Sequence, residues 1–412
     1  MPKNATTTLI LVTGMLVSGV CNTILNKFQD MQCVGNCDDP NPKNRHYFEQ
    51  PIWQTLNMFV GEFAVWIVYL YQLYQEKQQQ RVSKYQKVPA AVPPPSALNQ
   101  LDAASVVDEV NQEHVKIVDE DLPELKGWKA LLFWIPTLCD LTATTVMNVG
   151  LILTSASVYQ MLRGAVVIFT GVFSYMFLKR RLRLYEWFSL TMVVVGVGIV
   201  GLSSVLVPQK KPKDVVFDGE NTDTSSSLDF ASLLGVCLVL GAQLFTASQF
   251  VIEEKILSRY RITPLKAVGF EGSFGLISVL AAMPILHITL SKTHPSFDMV
   301  QGFHDFFDHA LVWQTGLAIS ISIAFFNWFG LSITSAVSAT ARSTIDACRT
   351  LFIWMVSLYL GWEHFSWIQV VGFIVLVIGT FYFNGVLKWP FITNEEAENE
   401  GERRPLLLSN EQ

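Results

Sequence analysis

Charge is scarce in this chain of 412 residues: Asp, Glu, Lys and Arg together make up 16%, where soluble chains carry about 25%. That shortage argues against a disordered polymer and against a soluble enzyme. Cysteine is thin as well, with six residues scattered along the chain and no zinc-ligand spacing, which excludes a disulfide scaffold. The basic residues form no face that could follow a nucleic acid. His294, His304 and His309 share one loop, but their spacing suits no metal site. No activated Ser, Cys or His constellation is present, so neither an enzyme nor a cofactor is expected. Gly196-Val197-Gly198-Ile199-Val200-Gly201 has the dinucleotide-binding pattern. It lies inside an apolar run without a preceding strand, where glycines serve close helix contact.

What is abundant is apolar sequence. Half the residues are hydrophobic and the mean hydropathy is +0.34. Ten runs are long enough to cross a bilayer, near 7–28, 53–75, 128–150, 154–178, 184–206, 230–254, 265–290, 311–332, 335–360 and 366–387. A bilayer offers no water to unpaired backbone groups, so runs of this length read as helices. The expectation is an all-α polytopic membrane protein with ten transmembrane helices. The first run ends in Asn22, Asn26 and Lys27 and reads as a retained span rather than a cleaved signal.

Lysine and arginine near the span ends set orientation. Lys179-Arg180-Arg181-Leu182-Arg183 follows the fourth run and should be cytosolic. Counting outward from it places both termini in the cytosol. Residues 76–127, rich in Gln with Pro93-Pro94-Pro95 and many acids, read as a disordered cytosolic loop, with a short acidic helix conceivable over 105–121. Lys210, Lys211 and Lys213 fall on the other side, against the trend. Cys33 and Cys37 share a luminal loop and are either disulfide-bonded or free.

The chain also resembles itself at an offset of 180 residues. Gly150-Leu151-Ile152-Leu153-Thr154-Ser155-Ala156 aligns with Gly330-Leu331-Ser332-Ile333-Thr334-Ser335-Ala336, five identities in seven. Trp187 then meets Trp367, and Val195 meets Val375. A unit of five spans is odd in number, so two copies must enter the membrane from opposite sides. This is the inverted-repeat plan of secondary transporters. It divides the chain into a first repeat over 1–206, a luminal linker over 207–229, a second repeat over 230–387 and a cytosolic tail over 388–412.

Ionisable residues at membrane depth are costly and mark function or pairing. The spans keep Glu62, Asp140, Arg163, Glu271, Arg342, Asp346 and Arg349. Positions 342, 346 and 349 share one helix face. Asp346 either neutralises an arginine and locks helices together, or leaves a net positive site for an anion, which a guanidinium fork holds well. Gln160 and Arg163 project from a similar face, and Arg163 has Asp140 or Glu62 as alternative partners. Glu62 and Glu271 occupy comparable places in the two halves and are candidates for proton coupling or for helix pairing; a carboxylate cut off from water can carry a proton. Four acids stand against three arginines in this buried set. Glu253, Glu254 and Lys255 sit at a span end, where reaching toward headgroups explains them.

Several stretches stand out in the first half: Gly61-Glu62-Phe63, Pro136-Thr137-Leu138-Cys139-Asp140, and Thr154-Ser155-Ala156-Ser157 followed by Gln160-Met161-Leu162-Arg163-Gly164-Ala165. The second half adds Glu253-Glu254-Lys255, Ala267-Val268-Gly269-Phe270-Glu271-Gly272, Ala324-Phe325-Phe326-Asn327, Ser338-Ala339-Thr340-Ala341-Arg342 with Asp346 and Arg349-Thr350, and Gly361-Trp362-Glu363. Together they resemble the drug/metabolite transporter superfamily, and within it the nucleotide-sugar-transporter-like solute carrier family 35, subfamily F, in the branch of its sixth member. The resemblance covers about residues 9–387. It implies alternating access by a ten-span carrier of a small organic solute. The arginines point to an organic anion, a nucleotide sugar among them, with Gln160, Arg163, Asn327, Arg342, Asp346 and Arg349 at the solute and Glu62, Asp140 and Glu271 in coupling or charge pairing. Two other readings stay open: a carrier of a cationic or neutral metabolite, and a non-transporting scaffold or regulator of organelle membrane potential. Beyond the bilayer and the solute, a homodimer partner is conceivable. Glu402-Arg403-Arg404-Pro405-Leu406-Leu407 matches an acidic dileucine signal for clathrin adaptors. It points to lysosomal, vacuolar or late-endosomal membrane, then Golgi, then mitochondrion.

Overall fold

The computed structural model describes residues 5–39, 41, 45–48, 50–85, 122–153, 162–179, 182–206, 230–291, 297–361, 365–383 and 387. Gln160, the 207–229 linker, the 105–121 segment and the tail with Glu402, Leu406 and Leu407 lie outside these residues. The described chain is helical apart from one short strand pair. α1 (Ala5–Asp30) is followed by β1 (Cys33–Gly35) and β2 (His46–Tyr47), which pair antiparallel. α2 (Pro51–Tyr85), a 3-10 turn (Gly127–Phe133), α3 (Trp134–Leu153), α4 (Val166–Phe177) and α5 (Leu184–Leu206) complete the first half. The second contains α6 (Phe230–Arg259), α7 (Pro264–Leu290), α8 (Met299–Phe307), α9 (Ala310–Ala336), α10 (Ala339–Tyr359) and α11 (Trp367–Phe383).

Each of the ten apolar runs contains a helix. Among the described residues, six helices are long and apolar enough to cross a membrane: Thr6–Asp30, Pro51–Gln79, Gly127–Met147, Leu234–Arg259, Pro264–Thr289 and Ala310–Ala336. Val166–Phe177, Leu184–Ile199 and Trp367–Phe383 are shorter apolar helices. α10 carries Arg342, Asp346 and Arg349 within its 21 residues. Large apolar side chains such as Ile67, Ile288, Ile321 and Met355 are exposed on the outside of the bundle, as a protein solvated by lipid allows.

α2 continues to Tyr85, beyond the expected start of the loop at 76. Its Gln-rich extension consists of good helix formers, and Gln75 and Gln78 each donate to the tyrosine one turn earlier (2.8 and 2.7 Å). α7 starts sharply because Thr263 caps it through Lys266 N and Pro264 occupies its first position. Asp298 caps α8, accepting from Val300 N and Gln301 N at 3.0 and 3.2 Å.

The most extensive contacts join α5 to α11, α3 to α6, α1 to α9 and α2 to α7; α2 meets α9 and α3 meets α7 over shorter stretches, as do α4 with α6 and α1 with α10. Small residues permit the closest of these. A side chain at Gly61 would run into the backbone of Ser320, and one at Gly196 into the backbone of Gly372 and Leu376. The dinucleotide-like glycine run thus serves helix packing where it touches α11.

The two ends of the bundle are built differently. At one end Cys33 and Cys37 are disulfide-bonded. Phe48 packs there on Phe306 of α8, and Gln50 donates to Asp305 at 3.1 Å. At the other end Arg261 N donates to Pro123 O at 3.1 Å, and Lys129 lies over the Tyr260 ring. Residues 122–126 and 260–263 therefore share one end, and residues 31–39, 45–48, 50 and 297–309 share the other.

Candidate functional site

The site begins where α10 begins. Two of its first backbone N–H groups, which have no partner within the helix, find side-chain acceptors. Ser338 Oγ accepts from Ala341 N at 3.1 Å, and Glu254 of α6 accepts from Ala339 N at 2.7 Å. The start of α10 is thereby fastened to α6, with Arg342 one turn inside.

Arg342 is 2% exposed and its partner Glu253 is 0% exposed. Arg342 Nη1 donates to Glu253 Oε2 at 2.5 Å. The guanidinium lies over the ring of Phe250, 4.2 Å from its centroid and three residues before Glu253 on α6. Gly330 of α9 makes room for it, since a Cβ there would sit 2.7 Å from Arg342 Nε. The Arg342 Nε and the second carboxylate oxygen of Glu253 are both buried without a hydrogen-bond partner.

Further acids converge on this pair. Glu62 of α2 is 2% exposed and accepts from Asn327 Nδ2 of α9 at 2.5 Å. Gly272 fits against the backbone of Glu62 and Phe63, which brings the neighbouring Glu271 of α7 alongside. Glu62, Asp140 of α3, Glu253 and Glu271 all lie within electrostatic range of one another or of Arg342. Six helices (α2, α3, α6, α7, α9 and α10) thus contribute four carboxylates, one guanidinium and one carboxamide. Glu253 lies six residues before the end of α6, Glu271 seven into α7 and Arg342 three into α10. At a rise of 1.5 Å per residue the cluster sits roughly 5–10 Å inside the 260–263 end.

Arg349 is held elsewhere. Its Nε lies 3.2 Å from Asp346 Oδ1 on the same helix, and its guanidinium covers the Phe326 ring at 4.9 Å. Its aliphatic stem rests against Gly19 of α1. Arg163 is half-buried just before α4.

The structure therefore brings Glu62, Asp140, Glu271, Asn327 and Arg342 together, and pairs Asp346 with Arg349 apart from them. The shared face of positions 342, 346 and 349 does not make one cationic trio. The unexpected member is Glu253, expected to reach toward headgroups. α6 runs five residues past the expected span end at 254, so Glu253 lies inside the bundle. A signal was available: Gln249, one turn earlier, is another polar residue inside an apolar run, and both are buried.

A groove of about 610 Å³ opens on the outside of α2 and α9, lined by Val60, Val68, Leu317, Ile321, Phe325 and Trp328 among others. None of the clustered acids lines it. Among the described residues no cluster of three or more His, Cys, Asp or Glu could hold a metal ion.

Residues 131–387 match the UAA transporter family. Human solute carrier family 35 member F6 is 34% identical over 92% of this chain and 89% of its own length. The mouse protein of that name is 33% identical over 92% and 88%. An uncharacterised protein of Schizosaccharomyces pombe is 33% identical over 91% of this chain and 97% of its own. One crystal structure of a protein superposes with a TM-score of 0.52 at 13% identity, covering 93% of this chain and 100% of that one; it bears on the fold alone.

Proposed function

The chain belongs to the UAA transporter family and is a multi-pass membrane transporter rather than an enzyme, and on that premise we propose that it is a proton-coupled secondary carrier working by alternating access. The observation that carries this reading is the buried cluster of Glu62, Asp140, Glu253, Glu271 and Arg342. Four carboxylates around one guanidinium need further positive charge at membrane depth. A proton or the solute itself supplies it.

Two inverted five-helix repeats give such a carrier its two states. Helix packing supports them. Numbering the crossings in order without α8 and exchanging each helix with the one five further on turns the α1–α9 contact into α6–α3. It likewise turns α4–α6 into α10–α1 and α2–α9 into α7–α3, and maps α2–α7 and α5–α11 onto themselves. The end with Lys126, Lys129, Arg259, Arg261 and Lys266 is assigned to the cytosol. The disulfide end then meets the oxidising side. Both termini are cytosolic on this assignment.

The solute is an organic anion, with a nucleotide sugar as the first class to try, as the family resemblance suggests. Arg342, in one cluster with Asn327, is the first cation proposed for it, with Arg163 and Arg349 as the further candidates from the sequence. The acid excess around Arg342 favours a second reading, a cationic or neutral solute taken in exchange for protons. Uptake into proteoliposomes across a charge-sorted panel, with and without an imposed pH gradient, decides between them. Uptake of an anion that needs Arg342 supports the first, and uptake of cations that needs Glu62 and Glu271 supports the second. A carrier indifferent to the gradient overturns the proton coupling. The address is proposed as the lysosomal, vacuolar or late-endosomal membrane; replacing Leu406 and Leu407 by Ala should move a tagged protein to the cell surface or hold it in the Golgi.

A further inference from the structure

Glu253 stands between its arginine and a second acid. Its Oε2 holds Arg342, and its Oε1 is buried without a donor. Across the α6–α7 junction Glu271 Oε1 is buried without a donor too. The two carboxyl groups nevertheless lie within hydrogen-bonding reach of each other. Two carboxylates have only acceptors between them, whereas a carboxylic acid beside a carboxylate makes one strong hydrogen bond. One proton would satisfy both orphaned oxygens. The surroundings supply no competing donor of that strength. Gln249 stands beside Glu253 on its own helix, Arg342 faces it from α10, and Glu62, Asp140 and Cys139 face it from α2 and α3. Glu254, the next residue, is turned to Ala339 N.

We propose that Glu253 and Glu271 form a proton-sharing dyad, and that its protonation decides whether Arg342 is available to an anionic solute. With one proton shared, Glu253 keeps a negative charge and holds Arg342. A second proton neutralises Glu253, breaks the ion pair and leaves the guanidinium to an anionic group such as a phosphate. Loss of that proton restores the pair and expels the anion. One proton thus accompanies each anion, and no other reactant is needed. The scheme rests on the anion reading above, but the dyad itself can be tested without any solute.

The first test is infrared difference spectroscopy on the full-length protein in lipid, titrated across pH. Wild type should show a protonated carboxyl band that is absent in both Glu253→Gln and Glu271→Gln, because either substitution removes the need for a shared proton. A band that survives both substitutions overturns the dyad. Should Glu253→Gln fail to reach the membrane, Glu271→Gln still tests the dyad while leaving the Arg342 pair in place. The second test uses UMP as the probe anion. Its affinity for wild type should rise about tenfold for each unit that pH falls, as uptake of one proton requires. Glu253→Gln should bind UMP with a dependence under about twofold, since Arg342 is then permanently released. An unchanged pH slope in that variant overturns the gating by Glu253. If no anion is bound or transported at any pH, the anion reading falls, and the infrared result still judges the dyad.

Discussion

Arg342 and Arg349 lie two turns apart on α10, and each is neutralised in its own way. Arg342 reaches across to Glu253 on another helix, and neither side chain is more than 2% exposed. Arg349 pairs three residues back along its own helix with Asp346, at exposures of 8% and 17%. The second pair travels with α10 as a unit. The first must break, or drag α6 along, whenever the two helices move relative to one another. A cross-helix ion pair among extra carboxylates is suited to a part that changes during a cycle. A pair within one helix is suited to keeping a charge tolerable in a fixed place.

The comparison can be broken most forcefully at Arg342. Arg342→Ala leaves Glu253 buried without its cation, and loss of one partner of a buried pair costs about 3–5 kcal/mol. Replacing both, Arg342→Met with Glu253→Leu, should restore most of the thermal stability in detergent while abolishing uptake. If the single and double variants unfold alike, the pair does not hold α10 to α6. A smaller loss is expected at the neighbouring acid. Asn327→Ala removes the 2.5 Å donor of Glu62, an interaction with a charged acceptor worth about 1.5–3 kcal/mol. Its thermal unfolding should fall between wild type and Arg342→Ala.

Arg349→Gln tests the other side of the contrast. The pair with Asp346 is less deeply enclosed, so the cost should be about 1–2 kcal/mol, between the exposed and buried cases. A loss equal to that of Arg342→Ala would erase the distinction between the two arginines. The smallest effect belongs to an ion pair outside the bilayer. Lys126 lies 2.6 Å from Glu124, and its hydrogen bond and charge hold that carboxyl below the usual range. A depressed carboxylate contributes stability above its unfolded pKa and loses it as pH falls through the folded value. Lys126→Ala should therefore raise the titration midpoint of Glu124, followed by NMR, with almost no change in unfolding at neutral pH.

Much of this architecture was legible in the residues alone. Long apolar runs have one stable form in lipid, so helix positions followed from hydropathy. Glu62, Asp140, Glu271 and Arg342 stood out because charge inside an apolar run is expensive wherever the run is packed. The pairing of those charges was not legible. Helical periodicity placed 342, 346 and 349 on one face, but a shared face does not say what stands opposite it. Glu253 looked like an interface residue because its run seemed to end beside it, and only the continuation of α6 to Arg259 carried it inside.

Sequence by itself determined that this protein lives in a membrane, which stretches form its helices, and which charges it keeps at depth. Each of these follows from transfer energies and helix geometry acting on neighbouring residues. Tertiary structure alone decided that Arg342 meets Glu253, that Glu253 meets Glu271, and that Asn327 meets Glu62. Those partners are separated by 89, 18 and 265 positions. Close approaches of backbone at Gly61 and Gly272, and the room that Gly330 leaves for the Arg342 side chain, bring them together, and such contacts depend on how whole helices pack.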